Sequence, residues 1–147
     1  MMKINDELKR DEWLKSLVIA VDFDNTLTIE NKFPEIGNEN PNAFNFLKKL
    51  QKNGIKIILH TMRGGDILQN AIDWCKEKNF EFDAIGKHPF QDDILNITVP
   101  KCFANFYIDD RNIGTPIQEV NNSLCVDWYK IEKLWGDFFI NLNNSKK

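Results

Sequence analysis

Leu17-Val18-Ile19-Ala20-Val21 is an unbroken apolar run with β-branched members. A strand built from it has no polar face to offer water, so it must be covered on both sides. Ile55-Lys56-Ile57-Ile58-Leu59 is a second such run and Phe106-Tyr107-Ile108 heads a third. Phe82-Asp83-Ala84-Ile85 and Ser123-Leu124-Cys125-Val126 are shorter candidates. Between the runs the apolar period becomes helical. Phe44, Leu47 and Leu50 share one face, with Asn53-Gly54 as the stop. Ile67, Leu68, Ala71, Ile72 and Cys75 form a second stripe opened by Gly64-Gly65-Asp66, and Ile131, Leu134, Trp135, Phe138 and Leu142 a third. These stripes are expected to face the core. Strands alternating with helices require right-handed crossovers. The expectation is an α/β chain: a three-layer, Rossmann-like parallel sheet with helices on both faces.

A chain of 147 residues suits one domain over 1–147, and a net charge of -3 leaves no footprint for nucleic acid or an anionic membrane. A phosphorylated substrate stays compatible, because one pocket can be basic on an acidic protein. Cys75, Cys102 and Cys125 are widely spaced and form no zinc pattern, so buried free thiols in a reducing compartment are expected. The charged start, MMKINDELKRDEW, has no signal-peptide core, and no stretch is long enough to span a membrane. A cytoplasmic location is expected. The polar segment 143–147 is expected to fray.

In open α/β sheets the ligand sits beyond the carboxyl ends of the strands, so the residues just after each apolar run matter most. After the first run comes Asp22-Phe23-Asp24-Asn25-Thr26, after the second Thr61-Met62-Arg63-Gly64-Gly65, and after the third Asp109-Asp110-Arg111-Asn112. Asp22 and Asp24, two apart in an extended segment, project to one side. Converging carboxylates repel unless a cation or shared proton intervenes. An all-oxygen set with no nitrogen or sulfur partner points to Mg²⁺. Arg63 could clamp a second substrate anion, while Arg111 is expected to pair with local acids. His60 and His88 are read as structural or loop residues. No nucleophile elbow and no GxxxxGK[S/T] loop is present.

Asp22-Phe23-Asp24-Asn25-Thr26 resembles the first motif of the haloacid dehalogenase superfamily, DxDx[T/V]. Thr61 at a strand end resembles the second, Lys101 the third, and Tyr107-Ile108-Asp109-Asp110 the fourth. Phe33-Pro34-Glu35-Ile36-Gly37 and Ile108-Asp109-Asp110-Arg111-Asn112 are similar to segments of a short, capless bacterial and phage group of that superfamily. The resemblance implies a phosphohydrolase acting on a phosphomonoester. Asp22 would be the nucleophile that becomes an aspartyl-phosphate, and Asp24 the general acid and base. Mg²⁺ would be held by Asp22, the backbone carbonyl of Asp24 and Asp109, with Asp110 nearby or bound through water. Thr61 and Lys101 would hold the phosphoryl oxygens, helped by amides after Asp22 and at Gly64-Gly65-Asp66. Lys101 is preferred over Lys87 for its offset before the paired acids.

Relatives in that superfamily select substrates with inserted caps, and neither interval here is long enough for one. The first leaves a short flap, about 29–40, in which Phe33 and Ile36 are apolar contacts for a substrate, Pro34 a stiffener and Gly37 a turn former. Capless relatives take large substrates or borrow a neighbouring subunit as a lid, so a small or large phosphorylated substrate and a homo-oligomer both fit. A phosphate- or metal-binding module without turnover, and a phosphotransferase, are the competing readings.

Overall fold

The computed structural model describes residues 4–146. Strands β1 (Val18–Val21), β2 (Lys56–Leu59), β3 (Ala84–Ile85) and β4 (Phe106–Ile108) form one parallel sheet in the order β3-β2-β1-β4. Val21 lies opposite Leu59 on one side and Ile108 on the other, so β1, β2 and β4 end at one level.

All four β1 residues are buried because the strand is central and covered twice. Ile19, Val21, Ile57 and Leu59 face helices α2 (Ala43–Lys52), α3 (Gly65–Glu77) and α5 (Trp128–Ser145) through Phe44, Leu47, Leu50, Ala71, Cys75, Ile131 and Phe139. Val18, Ala20 and Ile58 face the other way, onto Trp13 of α1 (Ile4–Lys15), Cys102, Ala104 and Phe90 ahead of α4 (Gln91–Leu95). Burying each large aliphatic side chain contributes about 1.5–3 kcal/mol. This is the expected three-layer, Rossmann-like α/β arrangement. Among the described residues no helix is long and apolar enough to cross a membrane, and all three cysteines are buried and free.

Several expectations need correction. Ser123–Val126 does not join the parallel sheet; as β6 it pairs antiparallel with β5 (Ile117–Val120), a strand unmarked by any apolar run. The 143–146 segment does not fray. Asn143 is wholly buried: its Oδ1 accepts from the Leu17 amide at 2.7 Å and its Nδ2 donates to the Asn53 carbonyl, fastening α5 to the start of β1. Lys147 lies outside the described residues. The buried stripe of α5 is Trp128, Ile131, Gly136, Phe139 and Asn143, leaving Leu134, Trp135 and Phe138 partly in solvent. Gly136 lies on that buried face beside Phe46, where a Cβ would stand 3.4 Å from the ring, in ordinary contact. Gly37 is required for a close approach rather than for a left-handed turn: a Cβ would meet the Glu30 carbonyl oxygen at 2.4 Å.

Candidate functional site

The chain leaves β1 at Asp22, whose amide donates to the Ile108 carbonyl of β4 at 2.9 Å. Asn25 comes next but two, with φ 58, a left-handed conformation that asparagine tolerates. Its side chain donates to the carbonyls of Ile29 and Leu124, and its own carbonyl accepts from the Val126 amide. This bend turns Thr26 back beneath the strand ends. The buried Thr26 hydroxyl donates to Asp22 Oδ2 at 3.0 Å and accepts from the Asp110 amide at 3.2 Å. It therefore bridges the β1 and β4 termini.

The three carboxylates of Asp22, Asp109 and Asp110 converge there, each offering an oxygen within 4.8 Å of the others. Burial and the charge of Asp109 push the Asp22 carboxyl up to about 8, and burial with the same neighbour raises Asp110. Such a cluster is short of positive charge. Its donors are hard oxygens only, the set that suits Mg²⁺. Asp110 belongs to the converging set as fully as Asp109 does.

Asp22 and Asp24 line a cleft of about 440 Å³ together with Thr61, Arg63, Asp109, Asp110, Arg111 and Phe33. The Thr61 hydroxyl, at the end of β2, accepts from the Arg63 amide at 3.2 Å. Lys101 and Asp22 both line a neighbouring cavity of about 240 Å³ with His60, Tyr107 and Asn112. The Lys101 Nζ lies 5.4 Å from the Tyr107 ring centroid, and it makes no ion pair among the described residues. Lys87, the other candidate, is paired with Asp92 instead. Asp24 differs from the other acids: its carboxylate turns away from the cluster to Arg63, which donates from Nε at 2.9 Å and from Nη2 at 2.7 Å.

The structure thus brings together Asp22, Asp24, Thr61, Lys101, Asp109 and Asp110, with Phe33 at the rim. Arg63 departs from expectation: it is buried and paired with Asp24, not held open for a substrate anion. Arg111 makes no side-chain ion pair among the described residues and is exposed beside the cleft. The α3 start at Gly64-Gly65-Asp66 does not line the cleft. His88 is buried against Trp13, as a structural residue should be, but His60 lines both cavities. Sequence reasoning missed His60, Met62, Asn31, Tyr107 and Asn112 as lining residues. The signal for His60 was its place between the β2 run and Thr61.

A solved structure of a conserved protein coded by a locus from Bacteroides thetaiotaomicron superposes with a TM-score of 0.68. The two are 34% identical over 84% of this chain and 92% of that one. The chain belongs to that protein's family. Membership supports the fold and carries no activity with it. Comparison with protein-family models finds no match, and comparison with curated proteins finds none.

Proposed function

We propose that this chain is a Mg²⁺-dependent phosphohydrolase of the haloacid dehalogenase type, acting on a phosphomonoester through an aspartyl-phosphate on Asp22. The observation that carries the reading is the convergence of Asp22, Asp109 and Asp110 at the ends of two adjacent parallel strands, beside Asp24, Thr61 and Lys101. The ordered sequence motifs supply the same residues.

Asp22, Asp109 and Asp110 are the residues that would hold Mg²⁺, with the Asp24 backbone carbonyl as a further donor. When bound, the cation supplies charge neutralisation for the carboxylates and the phosphoryl group. An Asp22 oxygen attacks phosphorus as the bond from phosphorus to the leaving oxygen breaks. The Thr26 hydroxyl, donating to Asp22 Oδ2, holds one oxygen of that carboxylate in place. Asp24 protonates the leaving oxygen and then takes a proton from the water that hydrolyses the aspartyl-phosphate. Thr61 donates a hydroxyl to the phosphoryl oxygens. Lys101, which shares the neighbouring cavity with Asp22 and Asp109, offsets part of the negative charge gathered there. With no cap over the cleft, exposed Phe33 and Met62 are left to meet the leaving group.

The test is hydrolysis of p-nitrophenyl phosphate by the purified chain. Turnover should need Mg²⁺, disappear with chelator, and fall in Asp22→Asn below about a hundredth of the wild-type rate. Retention above that level would remove Asp22 as nucleophile. Phosphate binding with no turnover would favour a binding module, and phosphoryl products other than inorganic phosphate a transferase.

A further inference from the structure

Arg63 is only 4% exposed. A guanidinium so far from water needs a partner for every N–H group it can satisfy. Its Nε and Nη2 donate to the two oxygens of Asp24 at 2.9 and 2.7 Å. Nη1 donates to the Pro34 carbonyl at 2.9 Å, and Nη2 also to the Glu35 carbonyl at 2.7 Å. The faces of the group are taken as well, by the rings of Phe23 at 4.9 Å and Phe33 at 5.4 Å. These contacts join Arg63 to two earlier segments, the Phe23–Asp24 turn and the flap at Phe33–Glu35, whose hydrogen-bonded residues lie 28 to 39 positions before it in the chain.

We propose that Arg63 is a positioning residue that holds the Asp24 carboxylate in its reactive orientation and makes that orientation depend on the flap. The part of this concerning reactivity rests on the phosphohydrolase reading above. A bidentate fork fixes both the direction and the plane of a carboxylate, which a single ammonium does not. The flap carbonyls in turn fix the plane of the fork. Without the fork the Asp24 side chain could take other rotamers, and its direction toward a leaving group in the cleft would no longer be fixed. Phe33, on the cleft side, is in contact with whatever enters, so displacing it moves the group that orients Asp24. Substrate fit at the flap is thereby transmitted to proton transfer.

The experiment is a double-mutant cycle on kcat with phenyl phosphate and Mg²⁺, using Arg63→Ala, Asp24→Asn and the pair. Arg63→Ala alone should lower kcat by about 10- to 100-fold with little change in KM, the loss expected of a misplaced catalytic group. In the Asp24→Asn background it should cost less than about twofold, since the orientation it sets is no longer used. Added guanidinium ion should restore several-fold of the loss in Arg63→Ala. Losses that multiply, or a raised KM at unchanged kcat, would make Arg63 a substrate clamp and overturn the proposal. Arg63→Lys keeps the charge and the aliphatic stem, guards against misfolding, and should behave like the alanine variant. A second readout needs no activity: amide hydrogen exchange across residues 31–37 should quicken about tenfold in both Arg63→Lys and Asp24→Asn. Exchange unchanged in Asp24→Asn, whose side chain does not touch the flap, would refute the linkage. A wild type without Mg²⁺-dependent turnover would overturn the phosphohydrolase reading, while the exchange measurement still decides the linkage.

Discussion

Replacing Asp22 by Asn should stabilise the metal-free protein, by an amount that depends on pH. The Asp22 carboxyl rises from an ordinary 3.8 to about 8, first through burial and then through the charge of Asp109. Below about pH 4 both folded and unfolded chains carry the proton, and the group has no effect on stability. Above it the unfolded chain ionises while the folded one resists, so the folded state binds more protons and loses stability as pH rises toward 8. At pH 7 about three of the roughly four pH units between the two titrations have been crossed, and at about 1.4 kcal/mol each the ceiling is about 4 kcal/mol. Rotation of Asp109 and Asp110 and entry of water reduce this, and roughly 2–4 kcal/mol is expected.

Urea unfolding with chelator present checks this. Asp22→Asn and wild type should match near pH 4, and the variant should gain steadily to pH 8, a gain that thermal melts should show as about 5–15 °C in Tm. Millimolar Mg²⁺ should then close the gap, because wild type gains RT ln(1 + [Mg²⁺]/Kd) and the variant, short of one carboxylate, gains less. A difference that stays constant across pH would show that the carboxylate cluster is not the origin of the strain. Equal stabilisation of both proteins by Mg²⁺ would remove Asp22 as a ligand.

Lys101→Ala should lower turnover on every phosphomonoester by about 100-fold, whereas Lys87→Ala, whose cation is engaged by Asp92, should leave turnover unchanged; the reverse pattern moves the catalytic cation to the loop. Phe33→Ala should alter apparent affinities across a substrate panel while leaving Mg²⁺ binding as it was, and an unchanged panel would make the flap a packing element. Asn40→Ala should cost about 2–3 kcal/mol in urea unfolding, since the buried Asn40 amide donates to the carbonyls of Thr26 and Val126; a loss under about 1 kcal/mol would mean that water replaces it.

The strands at Val18–Val21 and Lys56–Leu59 were legible because burial on both faces leaves an apolar run that no other element of that length produces. The acids were legible because nothing in a core requires carboxylates at the ends of such runs. The features that escaped sequence reasoning depend on distant partners. Helix α1 is largely charged and buries only Trp13 among its described residues, so it lacks the stripe that marks a helix. Strand β5 has a half-exposed pattern and exists through pairing with β6. Asn143 looks like part of a polar tail until Leu17, 126 residues away, provides an amide for it to accept from. Helix α5 carries apolar residues around much of its circumference, so its sequence does not single out the face that the fold buries, which includes Gly136 and Asn143. Arg63 obeys the same rule. Its place after Thr61 suggested a substrate contact, and only the fold reveals Asp24, Pro34 and Glu35 around it.

These distant contacts divide the cleft into parts of unequal stiffness. On the chemical side, the Thr26 carbonyl accepts from both Asn40 Nδ2 and Trp128 Nε1, at 2.9 and 2.7 Å, and all three residues are buried. The Thr26 hydroxyl meanwhile holds Asp22 and the Asp110 amide, so Asp22, the second acid after β4 and the start of α5 are braced through one residue. On the flap side, residues 31–35 are exposed, and the Pro34 and Glu35 carbonyls meet the site through the Arg63 guanidinium. Phosphoryl transfer depends on fixed positioning and electrostatics, whereas accommodating leaving groups without a cap needs a surface that can yield. On the phosphohydrolase reading, a scaffold cross-linked beneath the phosphoryl group and tethered by one fork above the leaving group would separate those demands. It would also place Asp24, serving the leaving group first and water afterwards, at the boundary between the more and the less cross-linked parts.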